Sequence, residues 1–208
     1  IDAKMKKVHW QYEHWQSDKK KEGFHWNRFA GTTVEEISGG EFDFVLPIWE
    51  TAKYKYDFQK KYNISEFKRI YMNAHTHGIE PNIHYDDGDF TLIYYPRMDW
   101  KSDYGGGTVI YEEDGGKNAP THDYATDKLV DYRGNRLLVF DAYLPHQGMP
   151  VIRDCHKLRT NIVFKAYCSS GGRARLDFYN HLAMQRHGIA DQIAQGNRAA
   201  GDIPDLER

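Results

Sequence analysis

The chain is poor in cysteine, carries no surplus of either charge and contains no long apolar run. Two cysteines in 208 residues, Cys155 and Cys168, cannot staple a domain of this size. A disulfide-built scaffold is therefore excluded, and a reducing compartment, the cytoplasm, is the expected location. The 28 Lys and Arg nearly cancel the 30 Asp and Glu, for a formal net charge of -2. A dedicated nucleic-acid binder usually carries a basic footprint, so that class is disfavoured. No apolar segment approaches the roughly 20 residues that cross a bilayer as a helix. The opening residues, IDAKMKKVHWQYEHW, lack the apolar core of a secretory leader. There is no internal repeat and no low-complexity tract.

What the chain does hold is aromatic and imidazole side chains, with 15 Tyr and 11 His. Histidine is the commonest metal ligand. The length suits a single domain over 1–208, read in three parts. Residues 1–66 are expected to form an N-terminal helical support, in which VLPIWETAKYKYDFQKKY has Pro47 in its first turn and apolar residues at helical spacing. Residues 67–168 are expected to form a β core. Its strands are a first one near Phe67–Ala74, then FTLIYYP, GGTVIYEE, two strands within DKLVDYRGNRLLVFDA joined by a turn at Gly134-Asn135, then HQGMPVI and LRTNIVFKAY. Short strands with regular turn signals predict a mainly β sandwich or barrel with flanking helices. Residues 169–208 read as a helix-prone C-terminal tail.

The stretch NIHYDDGDFTLIYYP raises the chemical question. In extended backbone, residues i and i+2 point to one side, so His84 and Asp86 aim an imidazole and a carboxylate at one point. An H-x-D alone arises often by chance, and its bland reading is a loop carboxylate bonded to a nearby histidine. A third ligand is offered by His146, which follows the apolar run RLLVF. Two histidines and one carboxylate with an open opposite face is the donor set of non-haem Fe(II) oxygenases. Arg159 opens the last strand, where its fork can hold a carboxylate, and Tyr95 can add a phenolic donor. Taken singly, Arg159 reads as a surface ion-pair partner and Tyr95 as core; one dicarboxylate chelated by the metal would explain both.

In that order, HYD, TLIYYPRMDW, GGTVIYEE, RLLVFDAYLPH and LRTNIVFKAY resemble the 2-oxoglutarate/Fe(II)-dependent dioxygenases, and within them the prolyl 4-hydroxylase-like branch. The matching stretch runs from Tyr71 to Tyr167. The resemblance implies a double-stranded β-helix, or jelly roll, of cupin-like kind. It implies Fe(II) on His84, Asp86 and His146, and 2-oxoglutarate held by Tyr95 and Arg159 in a pocket lined by Ile93 and Val109. It implies dioxygen as the oxidant, with room for ascorbate as an accessory reductant, and oxidative decarboxylation of 2-oxoglutarate coupled to C–H hydroxylation. Because Asp86 stands where halogenase relatives lack a carboxylate, hydroxylation is favoured over halogenation.

Three departures matter. The interval from His146 to Arg159 carries the extra segment VIRDCHK, and Lys165 stands where the hypoxia-sensing members have a bulky aromatic. The segments that grip substrate upstream of the H-x-D do not match closely, so the substrate reads only as a prolyl or other amino-acid residue or a small metabolite, with Tyr71 and His75 as its candidate contacts. The alternative reading is a non-catalytic jelly-roll module that binds a metal or ligand. His75 and His77 repeat the i, i+2 spacing, but no Asp-His pair follows as in zinc hydrolases of the metallo-β-lactamase type. Nucleic-acid dealkylases of the same fold carry R-N-x-T-x-x-x-R, and here Arg159 is followed by TNIVFK. Neither nucleic acid nor membrane is an expected partner.

Overall fold

The computed structural model describes residues 1–13, 25–55, 58–79, 81–111 and 128–168. The strands among them are β1 (Gln11–Glu13), β2 (His25–Gly31), β3 (Ile64–His75), β4 (Phe90–Tyr95), β5 (Thr108–Ile110), β6 (Lys128–Val130), β7 (Arg136–Asp141), β8 (His146–Gly148) and β9 (Arg159–Cys168). They build a six-stranded sheet in the order β1-β2-β3-β9-β4-β7 and a three-stranded sheet in the order β6-β5-β8. Every pairing is antiparallel. The result is a mainly β, jelly-roll architecture with helices on one sheet, as expected.

Alternation along the central strands decides which side chain goes where, because successive residues face opposite sides of a sheet. On β9, Ile162, Phe164 and Ala166 enter a core shared with the helices. Arg159, Asn161, Val163 and Lys165 face the other way, into a cavity. On β4, Phe90 and Leu92 join the helix-side core, whereas Ile93 and Tyr95 join a second core between the sheets. A strand buried on both faces reads as a nearly unbroken apolar run, which is why FTLIYY and RLLVF are conspicuous in the sequence.

The helix-side core is closed by short helical pieces, α1 (Asp2–Met5), α2 (Val34–Ile37), α3 (Leu46–Glu50) and α4 (Phe58–Lys61). Trp49 on α3 stacks on Phe164 at 6.1 Å between ring centroids and meets Phe67 edge-on at 5.4 Å. The helix expected over 45–62 is interrupted: a π-helical turn, Thr51–Lys55, follows α3. At the junction the Thr51 hydroxyl donates to the Pro47 carbonyl at 2.7 Å, a back-bond that bends helices. Among the described residues no helix is long and apolar enough to cross a membrane.

Two expectations need correction. The first 66 residues are not purely helical, since β1 and β2 lie within them and extend the large sheet past β3, which itself begins at Ile64. β2 alternates weakly, with most of its residues only half-buried, so it carries no apolar run to betray it. The strands on either side of Gly134-Asn135 do not pair with each other: β6 belongs to the small sheet and β7 to the large one. Asn135 adopts φ 64° at this crossing, and a Cβ on Gly134 would lie 2.5 Å from the Arg97 carbonyl oxygen. Cys155 and Cys168 are both thiols. The C-terminal tail from 169 and the loop around Asn118–Asp127 lie outside the described residues.

Candidate metal centre and co-substrate pocket

His84 and His146 are brought together by the backbone. Each donates its amide N–H to the other's carbonyl at 3.0 Å, an isolated antiparallel bridge. The Asp86 amide donates to the Ala142 carbonyl at 2.9 Å, which fixes the next outward-facing residue of the same extended segment. The two imidazoles and the carboxylate offer ligand atoms that all lie within 4.8 Å of one another. Nε2 of His84 is 3.6 Å from Asp86 Oδ1, and Nε2 of His146 is 3.2 Å from Asp86 Oδ2.

The other ring nitrogens set the tautomers. Nδ1 of His84 is 2.9 Å from the Asn82 carbonyl, and Nδ1 of His146 is 2.9 Å from the Leu144 carbonyl. A carbonyl can only accept, so each Nδ1 carries the proton and each Nε2 presents its lone pair to the shared point. Burial holds the His146 pKa down at about 4. His84 is shifted the same way, by burial and then by His146. Both rings are neutral, the form that binds a metal. Two neutral nitrogens, one carboxylate oxygen and an open face are the donor set that suits Fe(II).

The carboxylate is itself held. The Thr91 hydroxyl donates to Asp86 Oδ2 at 2.6 Å, and Nζ of Lys165 contacts the same oxygen. Beside them, Asp87 takes Arg69 in a two-pronged pair at 2.6 Å and Lys68 at 2.8 Å. Desolvation works against the Asp87 carboxylate, but these cations win and lower its pKa. The turn after Asp86 is thereby tied to β3.

These groups line a cavity of about 880 Å³ between the two sheets. Its floor consists of cross-strand pairs of β3 and β9: His75 with Arg159, Asn73 with Asn161, Tyr71 with Val163 and Arg69 with Lys165. Arg159 is 1% exposed. Its Nε and Nη2 donate to the carbonyls of Gly106 and Gly107, and its Nη1 has no partner among the described residues. His75 Nδ1 and the Oδ1 atoms of Asn73 and Asn161 are likewise buried without partners. Unpaired buried polar atoms are costly, and these four share one cavity wall. A guanidinium with a spare N–H edge is suited to a carboxylate.

Residues 62–165, half of the chain, match the 2OG-Fe(II) oxygenase superfamily. The chain belongs to that superfamily. It is a 2-oxoglutarate-dependent dioxygenase, and the family's reaction uses Fe(II), 2-oxoglutarate and dioxygen. Among solved structures it is similar in fold to a Pseudomonas putida prolyl-4-hydroxylase, at 13% identity and TM-score 0.54, over 77% of this chain and 78% of that one. It is also similar to an oxidoreductase of the 2OG-Fe(II) oxygenase family from Burkholderia pseudomallei, at 13% identity and TM-score 0.50, over 83% of this chain and 78% of that one. No curated protein matches it in sequence.

For this dioxygenase the expected site residues fall into distinct places. His84, Asp86 and His146 cluster, and Arg159, Ile93, Tyr71 and His75 line the same cavity. Tyr95 is wholly buried behind the wall, where its hydroxyl donates to Thr108 Oγ1 at 2.7 Å. Thr108 lines the cavity and Val109 does not. Val109 follows Thr108 on β5, and successive residues of a strand face opposite sides. His77 and His156 are exposed and lie outside the triad. The sequence reading missed Asn73, Thr91, Thr108 and Asn161. A signal existed for Asn161, because it shares even spacing with Arg159 and Lys165 on the last strand.

Proposed function

We propose that the protein is an Fe(II)- and 2-oxoglutarate-dependent hydroxylase of a prolyl or other amino-acid residue, or of a small metabolite. The observation that carries this reading is the convergence of His84, Asp86 and His146 in the same cavity as a buried Arg159 with a spare N–H edge. His84, Asp86 and His146 would hold the metal. Arg159 would hold the distal carboxylate of 2-oxoglutarate, with Thr108 beside it and Tyr95 orienting the Thr108 hydroxyl. With Fe(II), 2-oxoglutarate and dioxygen bound, the centre supplies oxidative decarboxylation to succinate and carbon dioxide, coupled to insertion of one oxygen atom into a substrate C–H bond.

The chain's own contribution is placement and exclusion of water. The backbone carbonyls of Asn82 and Leu144 keep the imidazoles in the metal-binding tautomer. The carbonyls of Gly106 and Gly107 hold the guanidinium still, so that little ordering remains when the co-substrate arrives. Tyr71 and His75 stand on the cavity wall where a substrate would pass, and the fold relationship to a prolyl-4-hydroxylase supports an amino-acid substrate. The test is conversion of 2-oxoglutarate to succinate by the iron-loaded protein, with and without candidate substrates, against His84→Ala. Equal succinate from the wild type and a folded His84→Ala variant would refute the reading.

A further inference from the structure

Lys165 is a lysine with 1% of its surface exposed, whereas the other lysines whose burial is described are all at least partly exposed. Burying an ammonium is expensive unless it is paired and hydrogen-bonded. Lys165 pairs across the sheet with Thr91 of β4 on one side and Arg69 of β3 on the other. Its Nζ contacts Asp86 Oδ2 and lies 3.3 Å from Thr91 Oγ1. Thr91 in turn donates to the same Oδ2 at 2.6 Å. One oxygen of the carboxylate is therefore claimed by two donors on neighbouring strands. The same Oδ2 lies 3.2 Å from His146 Nε2, whereas Oδ1 faces His84 Nε2 at 3.6 Å and has no donor of this kind among the described residues.

We infer that Lys165, with Thr91, is a positioning residue that clamps Oδ2 of Asp86, so that this ligand gives the metal one oxygen and cannot chelate it. The inference rests on the metal-site reading above. Its consequence is a matter of counting. A six-coordinate metal held by two imidazoles and one carboxylate oxygen keeps three positions open. A chelating 2-oxoglutarate needs two and dioxygen needs one. If Asp86 chelated, only two would remain, and co-substrate and oxidant would compete for them. An apolar side chain at 165 would leave Oδ2 held by the Thr91 hydroxyl alone, able to swing onto the metal.

The test uses the full chain loaded with Mn(II), without 2-oxoglutarate, and counts exchangeable waters on the metal from the broadening of its electron paramagnetic resonance signal in 17O-enriched water. The wild type is expected to show three, and Lys165→Met two. The Lys165→Met protein is also expected to bind 2-oxoglutarate at least tenfold more weakly, with Mn(II) affinity equal or tighter. Thr91→Val removes the second donor with little change of shape and shifts the count the same way. An unchanged count in both variants, or unchanged 2-oxoglutarate affinity in Lys165→Met, overturns the inference. If Lys165→Met does not fold, Thr91→Val decides: a count of three overturns the clamp, and a lower count supports it. Failure of the metal-site reading looks different, because the wild type would then hold no Mn(II) that His84→Ala loses.

Discussion

His75 on β3 stands directly across the sheet from Arg159 on β9, and each buries a nitrogen that has no hydrogen-bond partner among the described residues, Nδ1 on one and Nη1 on the other. Arg159 and burial together push the His75 pKa down, burial being the larger cause. A neutral imidazole beside a guanidinium leaves the pair with net positive charge and open donors, the state that an anionic co-substrate would complete.

Arg159→Gln is therefore expected to weaken 2-oxoglutarate binding by roughly 30- to 150-fold, since hydrogen bonds to charged groups contribute about 2–3 kcal/mol. Metal binding should be unchanged, because Arg159 touches none of the triad. Calorimetric titration of 2-oxoglutarate into Mn(II)-loaded protein measures the first, and metal titration the second. Unaltered 2-oxoglutarate affinity would remove Arg159 from its role.

Gly106 should be nearly as sensitive without touching any ligand. Its φ is 76°, and an added Cβ would lie 3.0 Å from Arg159 Cδ and 3.1 Å from the Trp100 ring. Left-handed backbone costs an alanine about 1 kcal/mol, and the new methyl would push the guanidinium off its carbonyls. Gly106→Ala is expected to raise the KM for 2-oxoglutarate at least several-fold while circular dichroism and metal affinity stay as in the wild type. A KM equal to that of the wild type would mean that the arginine tolerates displacement.

How far the site could be read in the sequence follows from strand length. The first eight residues of β9 are all buried, so Arg159 was legible not by alternation but as a charged residue opening the last apolar strand after His146; His84 and Asp86 share one extended segment, so spacing sufficed for them. β5 has three residues, all buried, and burial on both faces removes the alternation that would have separated Thr108 from Val109. β1 and β2 were illegible for the opposite reason: they lie at the sheet margin with polar, half-exposed faces. The clamp on Asp86 joins Thr91 to Lys165 across 74 positions of sequence, and no local pattern announces such a pair.

Phe164→Ala tests the platform under the cavity. Phe164 is wholly buried and stacks on Trp49, while its neighbours Val163 and Lys165 face the site. Removing a buried phenyl costs about 3–5 kcal/mol. Urea unfolding of chelator-treated protein should show a midpoint lowered accordingly with the slope unchanged. A loss below about 1 kcal/mol would show that the helices do not brace the strand that carries Arg159 and Lys165.

Stability of the metal-free protein should fall as pH drops below neutrality. His146 has its ordinary pKa near 6.5 when unfolded and about 4 when folded, because burial disfavours its charged form. Between those values the unfolded chain binds the extra proton and the folded chain does not, so stability is full above about pH 6.5 and is lost as pH falls, completely by about pH 4. The slope is about 1.4 kcal/mol per pH unit, or roughly 2 kcal/mol at pH 5 from His146 alone. His75 and His84 are shifted downwards as well and act in the same direction. Urea midpoints at pH 7.5, 6 and 5 give the profile, and His146→Gln should flatten part of it. Identical profiles for the two proteins would mean that His146 is not held neutral. The same depressed values predict that Mn(II) affinity changes little between about pH 6 and pH 8, because no proton has to leave either imidazole before the metal binds.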